Sequence, residues 1–216
     1  MPKVVLYAQD ISPPCRTVLI VAHQLGLDLE IREVNLKNKE QLSEEFRKVN
    51  PQHTIPVMDD NGFILLDSHA IVTYLVDKYG KNDSLYPKDL QKRALVDQYL
   101  HFDSWSLFPA ARNAFRPLFL QSGKEISEDK MKVWRESYEH LNSFLEGKNW
   151  LVDDSYTLAD ISCVTTASSS AILVNMDDFP NVKAWIERCE AELPGYKQHN
   201  LPGRDKLFAT VRALMA

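Results

Sequence analysis

Three short stretches carry residue types suited to gripping an anionic peptide and setting a hydroxyl beside it. In Asn50-Pro51-Gln52-His53-Thr54-Ile55-Pro56-Val57 the second proline is flanked by apolar Ile55 and Val57. It marks the opening of a strand, because proline removes a ladder donor. With the Ile55–Pro56 bond cis, the N–H and C=O of Ile55 would turn outward to pair with a peptide ligand's backbone. In Leu65-Leu66-Asp67-Ser68-His69-Ala70-Ile71 an apolar strand ends at Asp67, and Ser68 opens the helical pattern Ala70, Ile71, Tyr74, Leu75. A serine hydroxyl and free N–H groups at a helix N-terminus make an anion site, and Asp67 beside them suits an ammonium. Earlier, the strand Val4-Val5-Leu6-Tyr7 leads to Ser12-Pro13-Pro14-Cys15-Arg16 and the helical run Val18, Leu19, Val21, Ala22, Leu25. Proline is favoured in a first helical turn, so Ser12 is expected at a helix N-terminus.

The elements that position these stretches alternate. Strands are expected near 3–7, 29–34, 56–59 and 63–66, with helices near 14–26, 41–49 and 68–79. Asp59-Asp60-Asn61-Gly62 reads as the hairpin turn joining the last two strands. A βαβ unit followed by ββα is the thioredoxin-like arrangement. Gly80-Lys81-Asn82-Asp83-Ser84-Leu85-Tyr86-Pro87-Lys88 is rich in turn formers and holds two apolar anchors, as a linker would. Beyond it only helical patterns appear, with Trp134, Tyr138, Leu141 and Leu145 behind a cap at Ser127, and further helices near 180–192 and 203–214. After the loop Asp153-Asp154-Ser155-Tyr156, Thr157-Leu158-Ala159-Asp160 has the form of a capping box, assigned to folding, with Tyr156 and Ile161 as its staple. The division expected is 1–80, a linker at 81–88, and an all-helical 89–216. The small-residue run 165–171 is expected to let helices pack closely within the second unit.

The conjunction of the three motifs resembles the cytosolic glutathione transferases, most closely the insect delta and epsilon classes, with epsilon preferred. The resemblance covers nearly the whole chain. It implies an α/β thioredoxin-like N-terminal domain plus an all-α C-terminal domain, a homodimer, glutathione as co-substrate and no metal. Ser12 would then be the catalytic hydroxyl, donating to the glutathione thiolate. His53 would contact the glycyl carboxylate, Thr54 and Ile55 would line the cysteinyl residue through the Ile55 backbone, and Asp67 with Ser68 would hold the γ-glutamyl end. His69 stands where the family often has arginine or histidine, and either contacts glutathione or reaches across a dimer interface. Gln41 stands where the epsilon pattern usually has histidine, a departure that puts a second glycyl contact in question.

A free thiol has a pKa of ~8.5, and lowering it two units takes about 2.7 kcal/mol of preference for the thiolate. One charge-assisted hydrogen bond at a helix N-terminus is of that order. Cys15 lies three residues after Ser12, the Cys-x-x-Cys spacing with the first cysteine replaced, and disulfide exchange needs that first thiolate. Cys15 is therefore read as a buried helix residue and a glutaredoxin-like oxidoreductase is set aside. Residues 108–120 hold two prolines eight apart, which must bend or end a helix, and an arginine among aromatics. Phe108, Ala111, Arg112, Phe115 and Phe119 are assigned to a hydrophobic substrate pocket.

Composition bounds the rest. At 216 residues and 44% hydrophobic the chain can fill two modest cores, and its net charge of −5 comes from interspersed charges. That pattern points away from nucleic acid and from an anionic membrane surface. Three scattered cysteines form neither a disulfide framework nor a metal-ligand pattern, which with no signal-like leader and no long apolar run leads to a cytoplasmic expectation. The function expected is conjugation of glutathione to apolar electrophiles, of the detoxification type, with peroxidase or isomerase activity available to the same thiolate. The alternative is a ligandin-like carrier of hydrophobic molecules with little turnover.

Overall fold

The computed structural model describes residues 4–120, 124–152 and 154–216. Lys3, at the expected start of the first strand, and Asp153, in the expected loop, lie outside them. Strands β1 (Val4–Ala8), β2 (Leu29–Glu33), β3 (Val57–Asp60) and β4 (Phe63–Leu66) form one sheet in the order β2-β1-β3-β4. β1 and β2 run parallel, whereas β1–β3 and β3–β4 are antiparallel. Helix α1 (Pro13–Leu25) makes the parallel crossover and ends at Gly26, whose φ of 67° is the left-handed C-cap conformation glycine accepts. The hairpin loop is the two residues Asn61 and Gly62, both at positive φ, as a tight primed turn requires; Asp59 and Asp60 belong to the strand.

One expected element divides. The segment near 41–49 is a 3-10 turn at Glu40–Leu42 followed by helix α2 (Glu44–Val49), because the Ser43 hydroxyl accepts from Phe46 N–H at 3.2 Å and starts a new helix there. Helix α3 (Ser68–Tyr79) follows β4. The segment 80–88 is irregular but pinned: Leu85 and Tyr86 are buried, and the Leu85 carbonyl accepts from Leu158 N–H.

The remainder is helical: α4 (Leu90–Phe102), α5 (Phe108–Phe119), α6 (Glu128–Phe144), α7 (Leu158–Ser170), α8 (Pro180–Glu192), α9 (Tyr196–His199) and α10 (Leu201–Met215). A π-helical turn at Asp103–Leu107 joins α4 to α5, so Pro109 falls in the first turn of α5, where a missing N–H costs little, and Pro117 falls in its last turn. Ser127 has the backbone of an N-cap, but its side chain makes no capping bond. The capping box at Thr157 and Asp160 is complete. Trp134, Tyr138 and Trp185 are fully buried at the centre of the helical part. Helix α7 is buried along its whole length, because α1 packs on it from the sheet side while α4 and α8 cover it elsewhere. The small-residue run thus faces α1 as well as its own helices, and Thr17 and Thr165 share a 2.8 Å hydroxyl contact there. Among the described residues no helix is long and apolar enough to cross a membrane.

Candidate functional site

Strand direction brings the three motifs together. Tyr7 pairs with Val57, Val57 with Leu66, and Ala8 with Glu33. The segments leaving β1, β2 and β4 and the one entering β3 therefore meet at one end of the sheet, which is the end where open α/β sheets bind ligands. Ser12, Gln41, Ile55 and Ser68 belong to those segments.

Ser12 is half-buried and has the backbone of an N-cap, yet its side chain accepts no capping bond. The reason is local. A capping hydroxyl accepts from the second or third helical N–H. Here the second helical residue is Pro14, which has none, and the Cys15 N–H donates to the Ser12 carbonyl at 3.1 Å. The two prolines thus leave the hydroxyl out of the cap, with the Cys15 thiol as its side-chain neighbour. Cys15 is fully buried, and burial pushes its thiol up to about 11 against a smaller opposing pull from Ser12, so it is no nucleophile.

The wall at 50–56 is built around Asn50, which is completely buried. Its Nδ2 donates to the Thr54 carbonyl (2.8 Å) and hydroxyl (3.1 Å), and its Oδ1 accepts from Gln52 N–H at 2.9 Å. This closes a loop that holds His53 exposed at a φ of 49° and delivers Thr54 to the Ile55–Pro56 bond, which is cis. Asn50 was visible in the sequence but carried no role there; Asn-Pro before a strand is the signal.

At the other wall the roles of two neighbours differ from expectation. Asp67, not Ser68, caps α3: its Oδ1 accepts from His69 N–H (2.9 Å) and Ala70 N–H (3.3 Å), with φ at 72°. Ser68 is the first helical residue and is buried. Gln41 sits in the 3-10 turn, and its Oε1 is buried with no hydrogen-bond partner among the described residues. A buried amide oxygen left so carries a desolvation cost.

Within the chain, His69 is held by three side chains. Its Nδ1 lies 2.7 Å from the Ser104 hydroxyl, and its Nε2 lies 2.6 Å from the Ser162 hydroxyl and 3.1 Å from Asp103. Ser162 also donates to Asp103 at 2.6 Å. Burial opposes charge on the ring, but the bond to Asp103 and its charge prevail and raise the pKa. His69 therefore ties the start of α3 to the π-helical turn and α7 within one chain. Spacing in sequence carries no sign of a partner 93 residues away.

On α5, Phe108, Arg112, Phe115 and Phe119 recur at helical spacing and share a face. Phe115 packs with Leu118, Leu207 and Val211 in a small apolar cluster that Ile11, next to Ser12, borders. Phe119 meets Phe115 edge-on at 6.4 Å and is 44% exposed, and Arg112 is exposed. Ala111 belongs instead to the main core. Reasoning from sequence also missed Arg16, which is fully buried beneath the Ser12 loop.

Known proteins share this fold. Residues 6–83 match the glutathione S-transferase N-terminal domain model and residues 95–192 the C-terminal domain model. Glutathione S-transferase 1 of Manduca sexta is 45% identical over 204 residues, 93% of each chain. An epsilon-class glutathione S-transferase structure from the housefly Musca domestica superposes with a TM-score of 0.93 at 43% identity, covering 98% of both chains. A delta-class structure from Nilaparvata lugens gives 0.92 at 39%, covering 98% of this chain and 99% of that one. With delta and epsilon matching this evenly, and with both halves of the chain accounted for, the chain belongs to the glutathione S-transferase family, on its insect delta/epsilon branch, and is a transferase of glutathione.

Proposed function

We propose that the chain conjugates the glutathione thiolate to apolar electrophiles in detoxification, with Ser12 donating the hydrogen bond that keeps the sulfur ionised. The observation that carries this is the Ser12 hydroxyl itself, released from capping by Pro13-Pro14 at the sheet end where the peptide-binding walls meet. The thioredoxin-like unit at 1–80, joined through 81–88 to the helical 89–216, ionises the thiol, and α5 supplies apolar surface beside it. Proximity then does much of the work, because two bound reactants meet without the entropy cost of encounter. The epsilon class and a cytoplasmic setting are part of the same reading. So is a homodimer, supported by Phe63, Ile64, Leu90 and Trp105, which stand exposed along the β4 edge, α4 and the π-helical turn. A steady-state assay with glutathione and chlorodinitrobenzene tests the proposal. Tight binding of apolar ligands without turnover would instead mean a carrier.

His53→Ala and Asp67→Asn are expected to raise the Michaelis constant for glutathione several-fold with turnover nearly intact, since the charges they meet persist from ground state to transition state. Asparagine is chosen because it keeps the cap of α3. Kinetics at saturating glutathione decide this, and a lost turnover number with unchanged saturation contradicts it.

Phe115→Ala and Arg112→Ala should reorder activity across aryl halides, organic hydroperoxides and unsaturated aldehydes, with glutathione saturation hardly moved. A common scaling of all substrates would make this helix face ordinary packing.

A further inference from the structure

We propose that Arg16 is a positioning residue for Ser12, through which α7 and the α9–α10 junction set the reactivity of the thiolate site. The inference rests on the assignment of Ser12 above. Arg16 is completely buried, four residues past Ser12. Its Nη1 donates to the carbonyls of Asp10 (2.9 Å) and Ile11 (3.0 Å), the two residues that precede Ser12. Its other arms reach the helical part: Nε donates to Asn200 Oδ1 at 2.8 Å, and Nη2 to the Ser169 hydroxyl and, at 3.5 Å, to the Thr165 carbonyl. Asn200 is held in turn, donating from Nδ2 to the Ser168 hydroxyl at 3.0 Å.

Among the described residues, everything this guanidinium bonds is a carbonyl, an amide or a hydroxyl. Burying a cation among such groups is expensive compared with an apolar side chain of the same volume. Burial brings its pKa down to about 10, the direction expected when a cation loses its hydration. A rigid planar fork does what neither lysine nor an apolar residue can, because it fixes two consecutive carbonyls against two separate helical anchors.

Helix α10 closes on the same loop. A methyl at Gly203 would lie 2.0 Å from the Asp10 carbonyl oxygen, so glycine there is what allows the approach. Lys206, one turn further, pairs with the Asp10 carboxylate. The loop carrying Ser12 is thus clamped between Arg16 and α10, and a few tenths of an ångström at Asp10 and Ile11 would pass directly to the hydroxyl.

The test is the pKa of the thiol in bound glutathione, read by ultraviolet titration, with the pH profile of kcat/KM alongside. Arg16→Met should raise that pKa by about one unit, so that kcat/KM falls about tenfold below it and recovers above it. Arg16→Lys should fall between, and Ser169→Ala and Asn200→Ala should give smaller rises. Glutathione affinity should stay within about twofold throughout. A folded Arg16→Met with the wild-type thiol pKa, or with one uniform loss at every pH, overturns the inference. If Arg16→Met does not fold, Ser169→Ala and Asn200→Ala decide, and an unmoved thiol pKa in both is the overturning result. Ser12→Ala separates the two assignments: an unmoved pKa there removes the role of Ser12, whereas a raised pKa there with none in the Arg16 set removes only this inference.

Discussion

Ser12→Ala should cut turnover at about pH 6.5 by roughly fifty-fold while leaving glutathione saturation nearly unchanged, because losing about two units of thiol acidification drops the ionised fraction from about half to about one per cent. The hydroxyl makes no capping bond to lose, and α1 already begins with two prolines, so the helix itself should hold. That separates this variant from an ordinary cap deletion, which costs about 1 kcal/mol. The defect should shrink to about twofold or less near pH 9, where the free thiol ionises unaided. Titration of the bound thiolate gives the direct reading. A wild-type pKa in the mutant, or a defect equal at all pH values, would remove Ser12 from the chemistry. The first turn of α1 has no free N–H to take over from the lost hydroxyl, since Pro13 and Pro14 have none and the Cys15 and Arg16 N–H groups both go to the Ser12 carbonyl.

The local structure of the candidate walls was legible because its signals are local. Proline before a strand, a serine-proline pair before an apolar helical run and an Asn-Gly turn each act within a few residues, and the cis bond at Pro56 and the turn at Asn61 stand where those signals put them. Ser43 is the local signal that was passed over, and it splits the segment bearing Gln41 into two elements. What stayed hidden is long-range. Asn200 meets Arg16 across 184 residues and Ser162 meets His69 across 93, and no periodicity encodes either contact. Arg16 even lies on a helix whose apolar pattern is clear, and a charged residue in such a run reads as solvated unless its partners are known. The polar small-residue run of α7 was read as packing within one unit. Two of its hydroxyls, on Thr165 and Ser169, also reach α1, so the run is one of the surfaces through which the helical part touches the start of α1.

The largest loss of stability is expected from Asp160→Ala. Asp160 is wholly buried, and its two oxygens hold more than the capping box foreseen from sequence. Oδ2 accepts from Thr157 N–H at 3.0 Å, which closes the box, while Oδ1 accepts from Leu151 N–H and from Trp185 Nε1, both at 3.0 Å. One carboxylate thus joins the start of α7, the segment before it and the centre of α8. Burial raises its pKa, against these three bonds, so the charge is itself costly and part of the loss is returned when it goes. Three buried donors left without partners, at about 1–3 kcal/mol each, still outweigh that return, and a net loss of about 3 kcal/mol or more follows. Asp160→Asn keeps one oxygen but turns an N–H₂ toward a donor, so about half the loss is expected there. Denaturant midpoints with unchanged slopes measure both variants. Whatever fraction stays folded should saturate with glutathione as the wild type does, since Asp160 lies among helices rather than at the sheet end. A catalytic defect at full stability would mean that this carboxylate serves the site rather than the fold.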